Sequence, residues 1–198
     1  MKFILQIVFI IILSQFFGCE LFVTRAPEEP ETKKSSYQPP TSPSITITNF
    51  INSIIEKNPD NYLSCFYNEN SELTKFSFIP SNEVRTTYAA LFQDWNIQNE
   101  RIYFYSLMNK LPLDVKPEVK IETVPFDVLT PDSAIFNTNY YLFFNHSIEN
   151  YPKVFSGNLQ FTIIPNKSGL WSILRWIDNK NEKDTNFTWS LLKVRFSN

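Results

Sequence analysis

Two long segments in which apolar and polar residues alternate constrain the fold of this 198-residue chain more than any other feature. From Ala134 to Phe144 the even-numbered residues are mainly apolar, and from Phe155 to Ile163 the odd-numbered residues are, with Gly157 among them. Because successive side chains of a strand point to opposite faces, both segments predict long antiparallel strands with one buried face.

A third strand is predicted directly after the second. Residues Pro165–Gly169 have turn composition, so Leu170–Asp178 should form a hairpin with the strand before it. Trp171, Ile173 and Ile177 fall on one face of this strand, and Leu170, Leu174 and Trp176 on the other. A strand that is apolar on both faces is normally covered on both. We therefore expect either Trp189–Phe196 or a second subunit to cover its outer face.

The part of the chain before Pro117 is predicted to be mainly helical. A first helix starts near Pro43 and Ser44 and places one apolar stripe on a single face, formed by Ile47, Phe50, Ile51, Ile54 and Ile55. Further elements are predicted in the order short helix (Asp60–Phe66, capped by Asp60), short strand (Phe76–Pro80), helix (Ser81 or Asn82 to Phe92) and helix (from Asn96).

The N-terminus is predicted to be an export signal, residues 1–18. Its longest unbroken apolar run, Ile7–Leu13, is far shorter than the roughly 20 residues that cross a bilayer. Phe16 occupies a position where ordinary signal peptidase sites have a small residue. The sequence Phe16-Phe17-Gly18-Cys19 instead resembles a bacterial lipobox, which implies lipidation of Cys19. An uncleaved anchor or a plain secreted protein are the alternatives.

Residues 19–44 are predicted to be a disordered tether that precedes a domain at residues 45–198. Five of the thirteen prolines fall in this segment, among several charged residues and serines, and such a composition buries little apolar area. The alternative is that Arg25–Pro30 or Tyr37–Pro40 docks on a partner or on the domain.

Several kinds of chemistry are excluded by what the composition lacks. The chain has three glycines, two cysteines and one histidine, so it contains neither a glycine-rich phosphate loop nor a zinc site built from cysteine and histidine. A formal net charge of −2 without a basic cluster argues against a nucleic acid partner. We therefore expect no cofactor and no metal.

The order of elements, together with Gly169-Leu-Trp171-Ser-Ile173-Leu-Arg175-Trp176-Ile-Asp178, resembles the NTF2-like (SnoaL- or ketosteroid-isomerase-like) superfamily. This resemblance implies an α+β fold in which N-terminal helices pack on a curved antiparallel sheet to form a cone. Enzymes of this superfamily use an Asp, His or Tyr inside the cone. The layout of lipobox, proline-rich segment and domain resembles an uncharacterised group of bacterial envelope lipoproteins.

Four residues are candidates for contact with a ligand: Tyr140, Arg175, Trp176 and Asp178. Arg175 is placed on the same face as Trp171 and Ile173, where it would form an ion pair, a cation–π contact or an anion clamp at the mouth of the cone. Five aromatic residues could line an apolar pocket, although aromatic residues at strand and helix spacing more often form the core: Tyr37, Tyr140, Tyr141, Trp176 and Trp189.

No catalytic residue is assigned. His146, the only imidazole, is predicted at the end of the first long strand, where a structural role is more common than a catalytic one. Cys65 is predicted to be a small buried hydrophobe.

These observations favour a non-enzymatic protein of the bacterial cell envelope that is held at a membrane by lipid on Cys19. The outer membrane is favoured over the inner membrane. The protein's domain would bind a small apolar ligand in the cone, or an envelope protein or second copy through the sheet face. The alternative is a small cofactor-free isomerase or dehydratase that uses a pocket carboxylate or histidine.

Overall fold

Helices form most of the first half of the domain. The computed structural model describes residues 35–68 and 74–197, so the predicted signal peptide and Cys19 lie outside the described residues. The helices are α1 (Pro43–Ile55), α2 (Pro59–Ser64), α3 (Asn82–Thr87), α4 (Ala89–Phe92), α5 (Ile97–Asn109) and, after the sheet, α6 (Trp189–Phe196). In the described part of the chain no helix is long and apolar enough to span a bilayer.

The starts of α1, α2 and α5 follow ordinary capping chemistry. At the start of α1, Ser42 directly precedes Pro43, and its side chain accepts a hydrogen bond from the Ile45 amide. At the start of α5, Asn96 forms a capping box with Asn99. The cap of α2 is Asn58, so the prediction of Asp60 is wrong by two residues. The third predicted helix is divided in two, because the backbone of Tyr88 (φ −124°, ψ 37°) is not helical.

The described residues form a six-stranded sheet behind the helices. Its strands are β1 (Ser77–Ile79), β2 (Glu118–Ile121), β3 (Val128–Leu129), β4 (Ala134–Phe143), β5 (Val154–Pro165) and β6 (Trp171–Asn179). The order across the sheet is β1-β6-β5-β4-β2, with β3 paired to β4 as well. The short β1 runs parallel to β6, and all other pairs are antiparallel. This confirms the α+β class and the helices-then-strands order.

The alternation in β4 and β5 is confirmed. The even-numbered residues of β4 are buried, and in β5 Phe155, Leu159, Phe161 and Ile163 are fully buried. The turn after β5 is also confirmed. Gly169 has a φ of 75°, a backbone conformation that glycine adopts without the steric cost a side chain would add.

A β-bulge in β6 reverses the faces that the sequence predicted for its second half. Ile173 pairs with Ile163, and the next pair is Arg175 with Thr162, so Leu174 is an extra residue in the ladder. Beyond the bulge, Trp176 points to the helices, whereas Arg175 is exposed. The prediction that Arg175 shares a face with Ile173 is therefore wrong.

The last helix, α6, packs on the inner face of the sheet beside α1. The Trp189 ring lies 4.6 Å from the Trp176 ring and 5.7 Å from the Phe50 ring, measured between centroids. The prediction that Trp189–Phe196 covers the outer face of β6 is therefore wrong. The apolar residues that suggested a cover on both sides are explained by the bulge, which turns both halves of the strand inward.

Residues 35–42, here called the N-terminal strap, lie against the domain. The Gln38 amide donates to Asn49 Oδ1 (3.0 Å), and Asn49 Nδ2 donates to the Gln38 carbonyl (2.6 Å). The Trp171 amide, at the start of β6, donates to the Pro40 carbonyl at 2.7 Å. Of the alternatives for the tether, docking of Tyr37–Pro40 on the domain is what the structure contains, and the folded unit begins upstream of residue 45.

The close packing at Gly157 generates a prediction for stability. A Cβ atom at this position would lie 2.5 Å from the Asn179 carbonyl oxygen and 2.8 Å from Tyr140 Oη. Gly157→Ala should therefore lower the free energy of unfolding by about 2–3 kcal/mol, because a backbone atom must shift. Urea unfolding measures this. Gly169→Ala has open space around it and should cost only the strain of a positive φ, about 1 kcal/mol. Equal losses for the two variants would contradict the prediction.

Candidate functional site

The layer between the helices and the sheet is filled by aromatic side chains. The fully buried Phe50 of α1 is at its centre, with ring centroids 5.2 Å from Phe161, 5.5 Å from Trp176 and 5.5 Å from Tyr62. Such edge-on and tilted ring contacts add to the burial of apolar area. The space that a ligand would occupy in an open cone is here taken up by the protein's own side chains.

A carboxylate, Glu100, is fully buried in this aromatic layer. It lies in the first turn of α5, where the helix dipole favours a negative charge. Tyr62 Oη donates to one of its oxygens at 2.5 Å, and Trp95 Nε1 donates to the other at 2.7 Å. Both oxygens of the carboxylate therefore have a partner supplied by the protein.

A lysine from the last helix completes the pair. Lys193 Nζ of α6 donates to Glu100 Oε1, and both side chains are fully buried. The same ammonium lies 4.1 Å from the ring centre of Trp176, 4.3 Å from that of Phe78 and 4.6 Å from that of Tyr103. Burial lowers the pKa of Lys193 to about 8, and the neighbouring Glu100 opposes that shift. The ring faces and the carboxylate replace the water that an ammonium normally binds.

A second carboxylate, Asp178, is buried on the inner face of β6. Tyr140 Oη donates to its Oδ1 at 2.7 Å, and the Ser190 amide at the start of α6 donates to its Oδ2 at 2.6 Å. The Ser190 hydroxyl also donates to Oδ2. Burial raises the pKa of Asp178 to about 6, although the hydrogen bonds from Ser190 and Tyr140 lower it.

Two tyrosines and a tryptophan connect these groups. The Trp189 amide donates to Tyr140 Oη at 2.7 Å, and Trp189 Nε1 donates to Tyr103 Oη at 2.8 Å. Burial raises the pKa of both tyrosines well above the usual value, so both hydroxyls stay protonated. Glu100, Asp178, Lys193 and the groups bonded to them are called the buried acid–lysine cluster below.

Three of the four predicted ligand residues meet in this interior. Tyr140 and Asp178 are bonded to each other, and the Trp176 ring lies over Lys193. Arg175 lies on the opposite face of β6, exposed, and is not brought together with the other three. A role for any of the four in ligand binding stays a prediction.

Glu100 and Lys193 were missed by the sequence reasoning, although a signal for each exists. Glu100 is spaced from Phe104 and Leu107 by four and seven residues, so it continues the apolar stripe of its helix. Lys193 is similarly spaced four residues from Trp189. A charged residue on the apolar stripe of a helix predicts a buried ion pair if a second helix carries a residue of the opposite charge on its own apolar stripe.

The remaining candidates have structural roles. His146 is buried in the loop after β4, where Nδ1 accepts from the Ile148 amide (3.3 Å) and Nε2 donates to the Pro152 carbonyl (2.9 Å). Both ring nitrogens are thus used by the backbone. Cys65 is buried and unpaired, as expected, and burial raises the pKa of its thiol far above the usual value.

The surface pockets lined by described residues include three with volumes of about 1190, 430 and 400 Å³. None of the three is lined by Glu100, Asp178 or Lys193. Within residues 35–68 and 74–197, no three His, Cys, Asp or Glu side chains are grouped so that they could hold a metal ion. The arrangement of the interior can hold a charge pair and two neutral phenols in fixed positions.

The buried Asp178 generates a prediction for pH dependence. Because its pKa is raised from 3.8 to about 6 on folding, the folded state holds the proton more tightly, and stability falls as pH rises from about 4 to about 6. Compared with wild type, Asp178→Asn should lack this fall, which amounts to about 3 kcal/mol. Urea unfolding at a series of pH values measures the difference. The exposed Asp114→Asn is the control and should follow the wild-type profile. Parallel profiles for wild type and Asp178→Asn would contradict the assignment.

Comparison with known proteins shows the fold. No protein-family model matches the chain, and no curated protein matches its sequence. Two solved structures from Novosphingobium aromaticivorans align with a TM-score of 0.52. One, provisionally assigned as an aromatic ring hydroxylase, is 9% identical, with 69% of this chain and 85% of that chain covered. The other, provisionally assigned as a scytalone dehydratase, is 8% identical, with 73% and 89% covered.

A further structure, an NTF2-like superfamily protein from Salmonella enterica serovar Typhimurium, has a TM-score of 0.49 at 13% identity, with 71% of this chain and 89% of that chain covered. Identities this low leave activity open, since one fold hosts many unrelated functions. The domain accordingly has an α+β fold of the NTF2-like type, with helices packed on a curved sheet of six described strands.

Proposed function

We propose that this protein is a lipid-anchored protein of the bacterial cell envelope whose NTF2-like domain acts by binding another envelope protein rather than by catalysis. The observation that carries the proposal is the saturation of the interior acids. Every oxygen of Glu100 and Asp178 has a partner from the chain itself.

A catalytic acid or base must come within hydrogen-bonding distance of the substrate atom it protonates or deprotonates. In this domain a substrate would first have to displace Tyr62 and Lys193 from Glu100, or Tyr140 and Ser190 from Asp178. It would also need space that is now occupied by Phe50 and Trp176. A closed interior of this kind supports a domain that presents its surface to a partner.

The second candidate function is a cofactor-free dehydratase or isomerase. One observation favours it: Asp178 has a pKa of about 6 and contacts the neutral Tyr140, and a carboxylic acid beside a phenol can pass protons near neutral pH. One of the structurally similar proteins is provisionally assigned as a dehydratase. This function would require the helices to move away from the sheet.

A double-mutant cycle at Glu100 and Lys193 tests whether a structural ion pair holds the interior closed, as the binding proposal requires. If the pair is structural, Glu100→Gln and Lys193→Met should each lower the free energy of unfolding by about 3–5 kcal/mol, because each leaves a buried charge unpaired. The double variant should lose clearly less than the sum of the two. Chemical denaturation of the full-length protein measures all four species.

In a site kept for catalysis, replacing the acid commonly leaves stability unchanged or raises it. A Glu100→Gln variant as stable as wild type would therefore contradict the structural role of the pair, and with it the closed interior on which the binding proposal rests. The exposed Glu118→Gln is a matched control, because its carboxylate pairs with Lys120 on the surface, where ion pairs contribute little.

The lipid anchor has its own test. In a bacterial host, the mature protein should begin at Cys19 and carry acyl chains, which intact-mass spectrometry of the membrane fraction detects. Two or more acyl chains are enough for stable membrane association. Cys19→Ser should lose both the added mass and the membrane association, whereas Cys65→Ser should keep them. An unmodified Cys19, or cleavage at another residue, would contradict the anchor and leave the unfolding result unaffected.

A further inference from the structure

The largest of the three described pockets is a groove along β1, here called the β1 groove. One of its walls is the continuous segment Lys75–Pro80, which contains β1. The opposite wall is formed by Arg85 of α3, by residues of α4 and by residues 93–96. Its volume is about 1190 Å³.

The groove follows the edge of the sheet. Consecutive residues of a strand point to opposite faces, yet both Ser77 and Phe78 line the groove. A pocket over one face would be lined mainly by the side chains of every second residue, whereas here six consecutive residues, Lys75–Pro80, contribute. Among the described strands β1 has a single neighbour, β6, and is therefore an edge strand. An edge strand between a sheet and a helix is the place where an extended peptide can add as a further strand.

The two sides of this edge differ in chemistry. On the outer side, Lys75 is exposed and Arg175 is the register partner of Ser77, so two cations flank the strand. On the inner side, the rings of Phe92 and Trp95 are stacked with centroids 5.0 Å apart, and both are largely buried, so they present only a small part of their surface to the groove. The exposed Ala89 and Ala90 of α4 also line the groove.

The charge of the groove is positive although the chain as a whole is negative. Among the described residues, Lys75, Arg85 and Arg175 line it together with one acid, Asp94. None of these cations forms an ion pair with a carboxylate within residues 35–68 and 74–197, and Arg85 donates instead to the neutral Asn82 side chain at 2.8 Å. Positive groups without carboxylate partners favour an anionic occupant.

We infer that the β1 groove binds an extended, acidic segment of a partner protein, which adds beside β1 as a further strand. This inference rests on the proposed binding function and names its surface and the chemistry of its partner. Because side chains of the added strand alternate, those on the outer side meet Lys75 and Arg175, and those on the inner side meet Phe92 and Trp95. The segment recognised is therefore one in which acidic and apolar residues alternate.

A peptide titration tests this inference. The probe is a blocked heptapeptide of alternating glutamate and valine, carrying a fluorescent label, added to the full-length protein in detergent solution. Fluorescence anisotropy should show saturable binding that weakens at high salt. Lys75→Glu and Arg175→Glu should each weaken binding by about ten-fold, since each replaces an attraction by a repulsion. The exposed Lys116→Glu lies outside the groove and should bind like wild type.

Two further probes distinguish strand addition from simple attraction of an anion. A peptide N-methylated at alternate residues keeps its charge but cannot pair its backbone, and a peptide with its glutamates in one block keeps its composition but not its alternation. Both should bind about ten-fold more weakly. The amides of Ser77–Ile79 should gain protection from hydrogen exchange only with the alternating peptide.

Failure of the alternating peptide to bind, equal binding of all three peptides, or unchanged binding by the charge-reversed variants would each overturn the inference. Equal binding of the peptides would indicate a surface that attracts anions without regard to their shape. These outcomes are independent of the double-mutant cycle at Glu100 and Lys193, which tests the closed interior. A groove that does not bind peptide can therefore be told apart from an interior that is not held closed by the ion pair.

Discussion

The ion pair between Lys193 and Glu100 is the interaction on which the arrangement of the domain depends. It joins the last helix to α5, and the rings of Phe78 and Trp176 that enclose the ammonium belong to β1 and β6. Two charges taken out of water gain little net stability from each other, but either one alone in this interior is strongly unfavourable. The pair therefore contributes little net stability itself, but it makes any packing that separates the two charges strongly unfavourable. Only a packing that brings α6 against both α5 and the edge of the sheet satisfies both charges.

The same requirement explains why the interior holds acids without presenting them to a ligand. Asp178 accepts its hydrogen bonds from Tyr140 and from the start of α6, so it positions the helix that carries Lys193. The carboxylates of Asp178 and Glu100 accept hydrogen bonds from Ser190 and Lys193 of the last helix, respectively, and so fix its position. In the binding function that we propose, the domain acts through its surface, where the described residues around β1 are mainly cationic although the chain as a whole is negative.

Much of the fold could be predicted from the sequence, because the apolar periodicity of α1, β4 and β5 is regular. In α1 the periodicity predicts the helix but not its whole buried face, which also includes the polar Thr46, Asn49 and Ser53. The bulge at Leu174 could not be predicted, since the extra residue is itself apolar and leaves the strand looking continuously hydrophobic. Because of this extra residue, the predicted face of Arg175, one of the four candidate site residues, is wrong. The sequence does predict three candidate ligand residues that lie in the interior, namely Asp178, Tyr140 and Trp176. That they lie close together could not be predicted, because it depends on the pairing of strands that are distant in the sequence. Glu100 and Lys193 are not predicted, because Glu and Lys are residue types that are mostly exposed, and only the tertiary structure brings the two charges together.

The strap before α1 defines where the folded unit begins. Composition places that boundary at the end of the proline-rich segment, whereas hydrogen bonds place it about ten residues earlier. A chain shortened to start at Ile45 would leave the buried Asn49 side chain and the Trp171 amide without their partners, at a cost for each unsatisfied group. Prolines, which donate no amide hydrogen, are well suited to such a segment: Pro40 offers only its carbonyl, and that carbonyl is the group β6 uses. What reads as spacer in the sequence is thus the first piece of the domain's architecture.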